Sequence, residues 1–538
     1  MSIDHLLRTD VLVIGGGMAG CFAAIKAKER GVDVTLVDKG YVSKSGQTPS
    51  ATCMVVFNPE WGHDLDTWTK EIAVGGEYVN DRNWTELVLS ESYARYQDLV
   101  CWGVDFLRRP DGALYTCSSW GSGRALIWEE RKFASVLRMK AVQAGVRVLD
   151  KTMVTTLLKQ DGRVSGAIGF GVLSGECYVF LAKAIVISAG TSSFKPVGFP
   201  IASQTADGAN MAYRAGGELA GEEFIDPTIT LAGSPSWYRM SEFLPALVEG
   251  EIVFPRVIKA DGAAFVLDWC KGVGFEAHAG QAPLLIESRD DPARRAEIVG
   301  GATAGMTVPR TAGVCLSNED CETGLPGVFA AGDSASTMQQ GAIYYGLGWN
   351  MAGCAVTGDR AGKGAAEHAC HAGAVDVDEA EVARGRDEMY APSRRTGGYS
   401  PEWVTQLLQN TMIPYFTLMV KHGERLRAAL TLVEFMRDHL VPKLYARDVH
   451  ELRLAHETAS MVLNAEMKLR TSLFRTESRG LHYREDYPRR DDPTWLAWVR
   501  IREEDGEMKL RKEPVPTEWW PDLSIPYEVR YPYRFPGE

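Results

Sequence analysis

A glycine-rich turn near the start of the chain is the feature that most constrains the fold. The apolar residues 11–14 lead into Gly15, Gly17 and Gly20, and a second apolar stretch ends at Asp38. In a strand–turn–helix unit the first glycine permits a tight turn, the second lets a pyrophosphate approach the backbone, and the third lets helix and strand pack closely. The helix N-terminus attracts phosphates, and the acid is placed to accept a hydrogen bond from a ribose hydroxyl. The segment therefore predicts dinucleotide binding.

Length and charge narrow the class of protein further. A chain of 538 residues is too long for one core and predicts roughly three or four domains. The net charge of −12 argues against nucleic acid as a partner, because phosphate binding needs clustered Lys and Arg. No apolar run approaches the ~20 residues that span a bilayer. The N-terminus lacks the pattern of a secretion signal, so we expect a cytoplasmic protein.

The cysteines predict neither a metal site nor a cluster site. Ten cysteines are scattered along the chain without any CxxC pair, and the closest two are Cys315 and Cys321. This spacing matches no common metal or iron–sulfur pattern. Buried thiols in a reducing compartment are the simplest interpretation. If the protein passes electrons through iron–sulfur clusters, those clusters belong to another chain.

The pattern along the chain predicts alternating strands and helices, then a helical region. Residues 64–107 have a helical apolar periodicity, and Asp161-Gly162 marks a hairpin between two strands. Residues 182–190 and 324–333 read as buried strands that end in glycine, and a short helix follows residue 204. Residues 221–300 lose this regularity and carry several prolines, as a small inserted cap would. Residues 401–475 are helical, and the last sixty residues predict an extended tail.

Four ordered segments beyond the glycine turn carry a family resemblance. They are SKSGQTPSA (43–51), SAGTSSF with QTADGANMAYRAGGELAGEEF (188–194 and 204–224), GLPGVFAAGD (324–333) and RTESRGLHYREDYPRRDD (475–492). Together they resemble the flavoprotein subunits of succinate dehydrogenase and fumarate reductase, L-aspartate oxidase and adenylylsulfate reductase. The resemblance implies FAD as the cofactor, rather than NAD.

The resemblance also implies the architecture. We expect an α/β fold with a Rossmann-like FAD-binding domain, an inserted small α+β capping domain, and a C-terminal helical domain followed by an extended tail. The predicted boundaries are 1–220 and 301–365 for the split FAD-binding domain, 221–300 for the cap, 366–475 for the helical domain and 476–538 for the tail.

The glycine turn and the family segments together give the predicted cofactor-binding residues. The resemblance assigns the ribityl chain of FAD to Asp333 and places Trp349 in the lining of the flavin pocket. The full predicted set is Gly15, Gly17, Met18, Ala19, Gly20, Asp38, Lys39, Ser45, Gly46, Gln47, Thr48, Ser50, Val154, Ala189, Gly190, Asp207, Gly332, Asp333, Gly348 and Trp349.

Three departures from the family pattern bear on the cofactor and the substrate. Members with covalent flavin carry a histidine in the segment that reads SGQTPSA here, so we expect the FAD to be held without a covalent bond. The dicarboxylate enzymes have His-Pro-Thr where this chain has Asp226-Pro227-Thr228, and GANRLG where it has GAIYYG, which puts Tyr344 in place of the arginine. A dianion in a water-poor site needs fixed positive charge, which Tyr cannot match. The substrate is therefore predicted to differ from succinate and fumarate.

The candidates for proton transfer are Asp226, Tyr344 and Tyr345. Asp226 takes a family position that faces the flavin, although an aspartate before proline also commonly caps a turn. The two tyrosines either donate to substrate or pack beside the isoalloxazine. Further candidates for a general acid or an anion clamp, in or beside the cap, are His278, Arg256 and Arg310.

The expected function is hydride transfer between FAD and a small molecule, with electrons exchanged with a separate ferredoxin-like iron–sulfur subunit in a hetero-oligomer. Two alternatives stay open: a sulfur enzyme like the α subunit of adenylylsulfate reductase, and a flavin electron-transfer subunit without its own substrate. Arginines of the C-terminal signature either form a docking surface or make salt bridges between domains; they are Arg475, Arg479, Arg484, Arg489 and Arg490.

Overall fold

The computed structural model describes residues 3–538 except 120, 130–131, 197–200, 227–229, 232–245, 249–250, 254–255, 259–263, 267–283, 289, 300–305 and 345–347. Strands in the first half are β1 (His5–Ile14), β2 (Val34–Val37), β3 (Cys53–Val55), β4 (Thr116–Ser118), β5 (Arg124–Ile127), β6 (Arg147–Leu149), β7 (Thr152–Gln160), β8 (Arg163–Gly171), β9 (Cys177–Ile187) and β10 (Leu219–Ala220).

Short strands dominate the middle of the chain, and a hairpin lies near its end. They are β11 (Thr230–Leu231), β12 (Ala246–Val248), β13 (Glu251–Val253), β14 (Arg256–Ile258), β15 (Ala264–Val266), β16 (Leu284–Glu287), β17 (Arg295–Val299), β18 (Gly313–Cys315), β19 (Val328–Ala330), β20 (Ala335–Ser336), β21 (Val420–Lys421), β22 (Tyr483–Arg484), β23 (Ala497–Glu504) and β24 (Glu507–Pro514).

The described α-helices concentrate in the second half of the chain. They are α1 (Met18–Lys28), α2 (Leu65–Gly75), α3 (Arg82–Trp102), α4 (Phe133–Gln143), α5 (Asp207–Arg214), α6 (Trp349–His371), α7 (Glu379–Met389), α8 (Pro401–Met412), α9 (Tyr415–Leu418), α10 (Gly423–Phe435), α11 (Val449–Phe474) and α12 (Tyr527–Arg530). None of these helices combines the length and the apolar character needed to cross a bilayer.

The central sheet has the strand order β6-β2-β1-β9-β8-β7, and β19 also pairs with β9. β1 runs parallel to β2 and to β9, so that Ile14 lies beside Val37 and Ile187. β19 continues the same parallel set along the end of β9. Val11 and its neighbours to Ile14 are buried, as expected for parallel strands that are covered on both faces. The predicted hairpin at Asp161-Gly162 joins β7 and β8.

Two further layers complete the α/β fold that the sequence predicts. In the middle of the chain the described strands form an antiparallel sheet in the order β11-β17-β16-β14-β15. Helices α8, α10 and α11 pack around a separate apolar core in which Leu408, Leu426 and Leu469 are fully buried. The fold class is confirmed, whereas the domain boundaries remain predictions.

The C-terminal tail contains a β-hairpin that the sequence interpretation did not anticipate. β23 and β24 are antiparallel, and β23 also pairs with β10, so the sheet order is β20-β18-β10-β23-β24. Strand alternation is hard to recognise in β24, because its side chains are half-buried or exposed throughout. The tail is thereby tied to strands that lie much earlier in the chain.

Most arginines of the C-terminal signature are buried in ion pairs within the chain. Arg475, Arg479, Arg484 and Arg490 are at most 4% exposed. Their partners include distant acids: Arg475 Nε lies 2.9 Å from Glu223 Oε1, and Arg490 Nη2 lies 2.6 Å from Glu77 Oε1. Arg489 is exposed and stands over the ring of Tyr527. Of the two interpretations, internal salt bridging therefore describes four of the five arginines.

Replacing Arg479 by Met should lower the free energy of unfolding by about 3 kcal/mol, because Glu477 and Asp492 would stay buried with one cation fewer, paired only with Arg475 and Arg530. The matched control is Arg511→Met, since Arg511 bridges Glu218 with half of its side chain exposed and is expected to contribute at most about 1 kcal/mol. Thermal unfolding of the holoprotein measures both variants. Equal losses of stability would contradict this account of the buried network.

Candidate functional site

A cleft of about 400 Å³ opens where β1, β2 and β9 end. Ligands of open parallel sheets bind at this carboxyl edge. Most of the predicted cofactor-binding residues line the cleft: Gly15, Gly17, Met18, Ala19, Asp38, Lys39, Ser45, Gly46, Gln47, Thr48, Val154, Ala189, Gly190, Asp207 and Asp333. Residues from segments more than 300 positions apart therefore meet at one site.

The remaining five predicted residues do not line the cleft. A Cβ on Gly20 would lie 1.8 Å from the carbonyl oxygen of Gly15, so only glycine lets α1 pack here. Gly332 is in the left-handed region at φ +63°, and its Cβ would meet Ala19 at 2.6 Å. Ser50 is exposed, and its hydroxyl donates to the carbonyl of Gln47. Gly348 and the buried Trp349 begin α6.

The glycine turn has the shape that a pyrophosphate requires. Gly15 has φ +104°, and a Cβ there would lie 2.3 Å from the carbonyl oxygen of Ser188. A Cβ on Gly17 would come within 3.2 Å of Thr48 Oγ1, so the missing side chain leaves the backbone open to a ligand. Helix α1 follows directly, has no acid in its own first turn and points its positive end at the cleft.

Asp38 is held in place by the turn that it faces. Its Oδ2 accepts from the N–H of Gly16 at 2.8 Å and its Oδ1 from the N–H of Gly40 at 2.6 Å. Burial raises the pKa of Asp38, and these two hydrogen bonds oppose that rise. Each carboxylate oxygen retains acceptor capacity, so the side chain can also accept from a ribose hydroxyl.

A network of charges closes the Lys39 side of the cleft. Lys39 Nζ lies 2.5 Å from Asp207 Oδ2 and 3.0 Å from Glu457 Oε1. Glu457 also pairs with Lys195 at 2.7 Å and with Arg453 at 2.9 Å. Burial alone would raise the pKa of Glu457, but the three cations outweigh it and lower the pKa to about 2. The network carries three positive and two negative charges, which favours an anionic ligand.

The cleft is also lined by residues outside the predicted set, and two of these lie far along the chain. His450 and Arg453 line it from α11, a helix of the predicted helical domain. Their positions fit the helical periodicity of residues 401–475. No signal in the neighbouring sequence therefore distinguished them from solvated residues on the surface of a helix. Only the tertiary packing of α11 brings them to the cofactor cleft.

Of the three predicted catalytic residues, the structure describes Asp226 and Tyr344, and neither of them lines the cleft. Asp226 is 4% exposed, and its N–H donates to the carbonyl of Met306 at 2.8 Å. Gln47, which lines the cleft, contacts the sulfur of the same Met306 at 3.2 Å. Tyr344 is half-buried and packs against the main apolar core. Tyr345 lies outside the described residues.

The other three candidates fall in different places. His278 lies outside the described residues. Arg256 is exposed and stands 3.6 Å from Glu287. Arg310 is fully buried, in a left-handed backbone conformation at φ +72°. Arg256 does not line the cleft.

Comparison with known proteins defines the class. The family model for the FAD binding domain matches residues 10–282, and that for the fumarate reductase flavoprotein C-terminal region matches residues 405–531. One component of the CoM/CoB fumarate reductase from Methanothermobacter marburgensis is 27% identical over 93% of this chain and 98% of its own length.

Solved structures share the fold. Escherichia coli quinol fumarate reductase superposes with a TM-score of 0.79 at 18% identity, covering 98% of this chain and 99% of that one. Adenylylsulfate reductase from Archaeoglobus fulgidus gives 0.77 at 20% identity, covering 95% and 96%. The chain belongs to the FAD-binding family of the fumarate reductase and succinate dehydrogenase flavoproteins. It is an FAD-dependent oxidoreductase.

The Glu457 network predicts how stability depends on pH. Because the folded-state pKa of about 2 lies below the ordinary value, the contribution of Glu457 is fully present above about pH 4.5 and is lost as the pH falls towards 2. The gap in thermal midpoint between the native chain and Glu457→Gln should therefore be constant above about pH 5 and shrink in more acidic buffer. The control is Glu86→Gln, at an exposed position of α3. A gap that does not change with pH would contradict the assignment.

Proposed function

We propose that this protein transfers a hydride between non-covalently held FAD and a small molecule other than a C4 dicarboxylate, and that it exchanges electrons with a separate iron–sulfur subunit. Bound FAD supplies the redox chemistry. The chain's own residues bind the cofactor, orient the substrate and move a proton. The observation that carries the proposal is the buried Asp226, whose N–H donates to Met306, a residue that in turn contacts Gln47 of the cleft.

Non-covalent binding is supported by the segment that lies against the cleft. Residues 43–51 contain neither histidine nor cysteine. Their contacts are those of a polar cradle: Thr48 Oγ1 accepts from the N–H of Met18 at 3.0 Å, and Ser45, Gly46 and Gln47 line the cleft. The helix N-terminus, the open backbone at Gly17 and the excess positive charge of the Lys39 network together attract the pyrophosphate, so a covalent bond is not needed to hold the cofactor.

The substrate class is argued from charge. Asp226 is almost fully buried next to residues that contact the cleft, and the family arginine is replaced by Tyr344. A second negative charge near an ionised Asp226 would be opposed by several kcal/mol in a water-poor site. A neutral, aromatic or cationic substrate avoids that repulsion. In such a site the Asp226 carboxyl and the Tyr344 hydroxyl are the groups that can hold the proton which accompanies hydride transfer.

The electron partner is argued from the thiols. Among the described cysteines, seven are buried, and Cys101 and Cys370 are exposed on different helices. Their sequence spacings match no cluster motif, so single-electron carriers of the iron–sulfur type would reside in another chain. The relative from Methanothermobacter is itself named as one subunit of its enzyme.

Anaerobic titration of the holoprotein with candidate compounds tests the substrate class. Bleaching of the ~450 nm flavin band reports hydride transfer to the cofactor. We expect no bleaching by succinate and bleaching by a neutral or aromatic compound. With a bleaching compound in hand, Asp226→Asn and Tyr344→Phe should slow the reaction by about 10²-fold or more without releasing FAD. Rapid bleaching by succinate would overturn the proposal.

Two further arms of the same experiment address cofactor attachment and the alternatives. Acid precipitation of the preparation should leave all of the flavin in the supernatant; flavin that stays with the protein would contradict non-covalent binding. AMP with sulfite tests the sulfur-enzyme alternative, since bleaching by that pair alone would favour it. If no compound bleaches the flavin and both variants behave like the native chain, the result would favour a flavin electron-transfer subunit without its own substrate.

A further inference from the structure

Arg310 is a fully buried cation that the proposed chemistry does not use. Its Nη2 donates a hydrogen bond to Gln339 Oε1 at 3.1 Å. Its Nε and Nη1 have no hydrogen-bond partner, and neither does Nε2 of Gln339. Within the described residues, no carboxylate forms an ion pair with Arg310. Isolated buried charges are strongly disfavoured, so a site of this kind needs a reason.

The surroundings fix the guanidinium rigidly under the start of α6. A Cβ on Gly353, in the second turn of α6, would lie 2.4–2.7 Å from its Nη2, Cζ and Nη1, so the group lies flat against the glycine backbone. The carbonyl oxygen of Arg310 accepts from the N–H groups of Thr337 and Met338. These contacts hold the charge in place and separate it from solvent.

The charge acts on the wall of the cofactor cleft. Cys354 follows Gly353 and lines the cleft together with Asp333; the thiol of Cys354 lies 3.6 Å from Asp333 Oδ1. Burial raises the pKa of Asp333, and Arg310 opposes that rise. The guanidinium therefore lies close to two residues that line the cleft, on the side where the N-terminus of α6 also contributes positive potential.

We propose that Arg310 is a positioning charge for the cofactor. Because it has no paired acid, its positive potential falls on the cleft. There it favours the reduced, negatively charged form of the bound isoalloxazine. A protein charge near the flavin tunes its electronics without touching it. At a separation of ~10 Å and an effective dielectric constant of ~20, one unit charge shifts such an equilibrium roughly tenfold. The inference rests on FAD as the cofactor and is independent of the substrate.

Gln339 offers a decisive test because it already contacts the guanidinium. In Gln339→Glu a carboxylate would pair with Arg310 and cancel its charge, while in Arg310→Met the charge is removed. Each holoprotein is equilibrated with a reference dye, and the ratio of reduced to oxidised flavin is read at one solution potential. We expect this ratio to fall about tenfold in both variants and to stay within about twofold in Arg310→Lys.

Stability separates this role from a purely structural one. Gln339→Glu should raise the thermal midpoint of the protein, since its carboxylate would form an ion pair with Arg310. The same variant should lower the ratio of reduced to oxidised flavin. Arg479→Met is the control, because it removes a buried arginine that contacts no residue of the cleft; it should lower stability and leave the ratio unchanged. If Arg310→Met fails to hold FAD, Gln339→Glu decides alone. A ratio in Gln339→Glu equal to that of the native chain would overturn the proposal.

Discussion

The close approach of α1 to the ends of β1 and β9 is the constraint on which the rest of the structure depends. Gly20 lets the helix pack against the carbonyl of Gly15. Gly15 in turn lies so close to the backbone of Ser188 that a Cβ at this position would clash with it. This packing brings the positive end of α1 to the carboxyl edge of the sheet. The later segments, from the Lys39 network to Asp333, close around that edge.

Charged side chains are distributed unevenly around the central sheet and α1. The C-terminal arginines are matched by acids and connect distant segments, as Arg490 does with Glu77. The Lys39 side of the cleft carries one positive charge in excess, and Arg310 lies behind the cleft without an acid of its own among the described residues. The paired charges connect distant segments of the fold, whereas the unmatched ones lie at or close to the cleft for which we propose an anionic cofactor.

Local sequence signals predicted β1, β2, β7, β8, β9 and β19, the glycine turn and about half of the residues that line the cleft, because each of these depends on backbone geometry that only a few residue types allow. Gly15 and Asp38 are of this kind. Arg453 and the hairpin β23–β24 could not be found in the same way, since an ordinary helical arginine and a mostly exposed strand acquire their roles only by tertiary packing. Asp226 and Tyr344 are intermediate: the resemblance drew attention to them, and their roles remain proposals.

The central claim is that FAD binds in the cleft at the glycine turn, and titration of the flavin-free chain with FAD tests it most directly. A single larger side chain in place of a glycine of this turn would block the cleft. The native chain should bind one FAD per chain, and Gly15→Val should bind none while keeping a folded helical region, as judged by circular dichroism. Undiminished FAD binding by Gly15→Val would show that the cofactor lies elsewhere and would contradict the account.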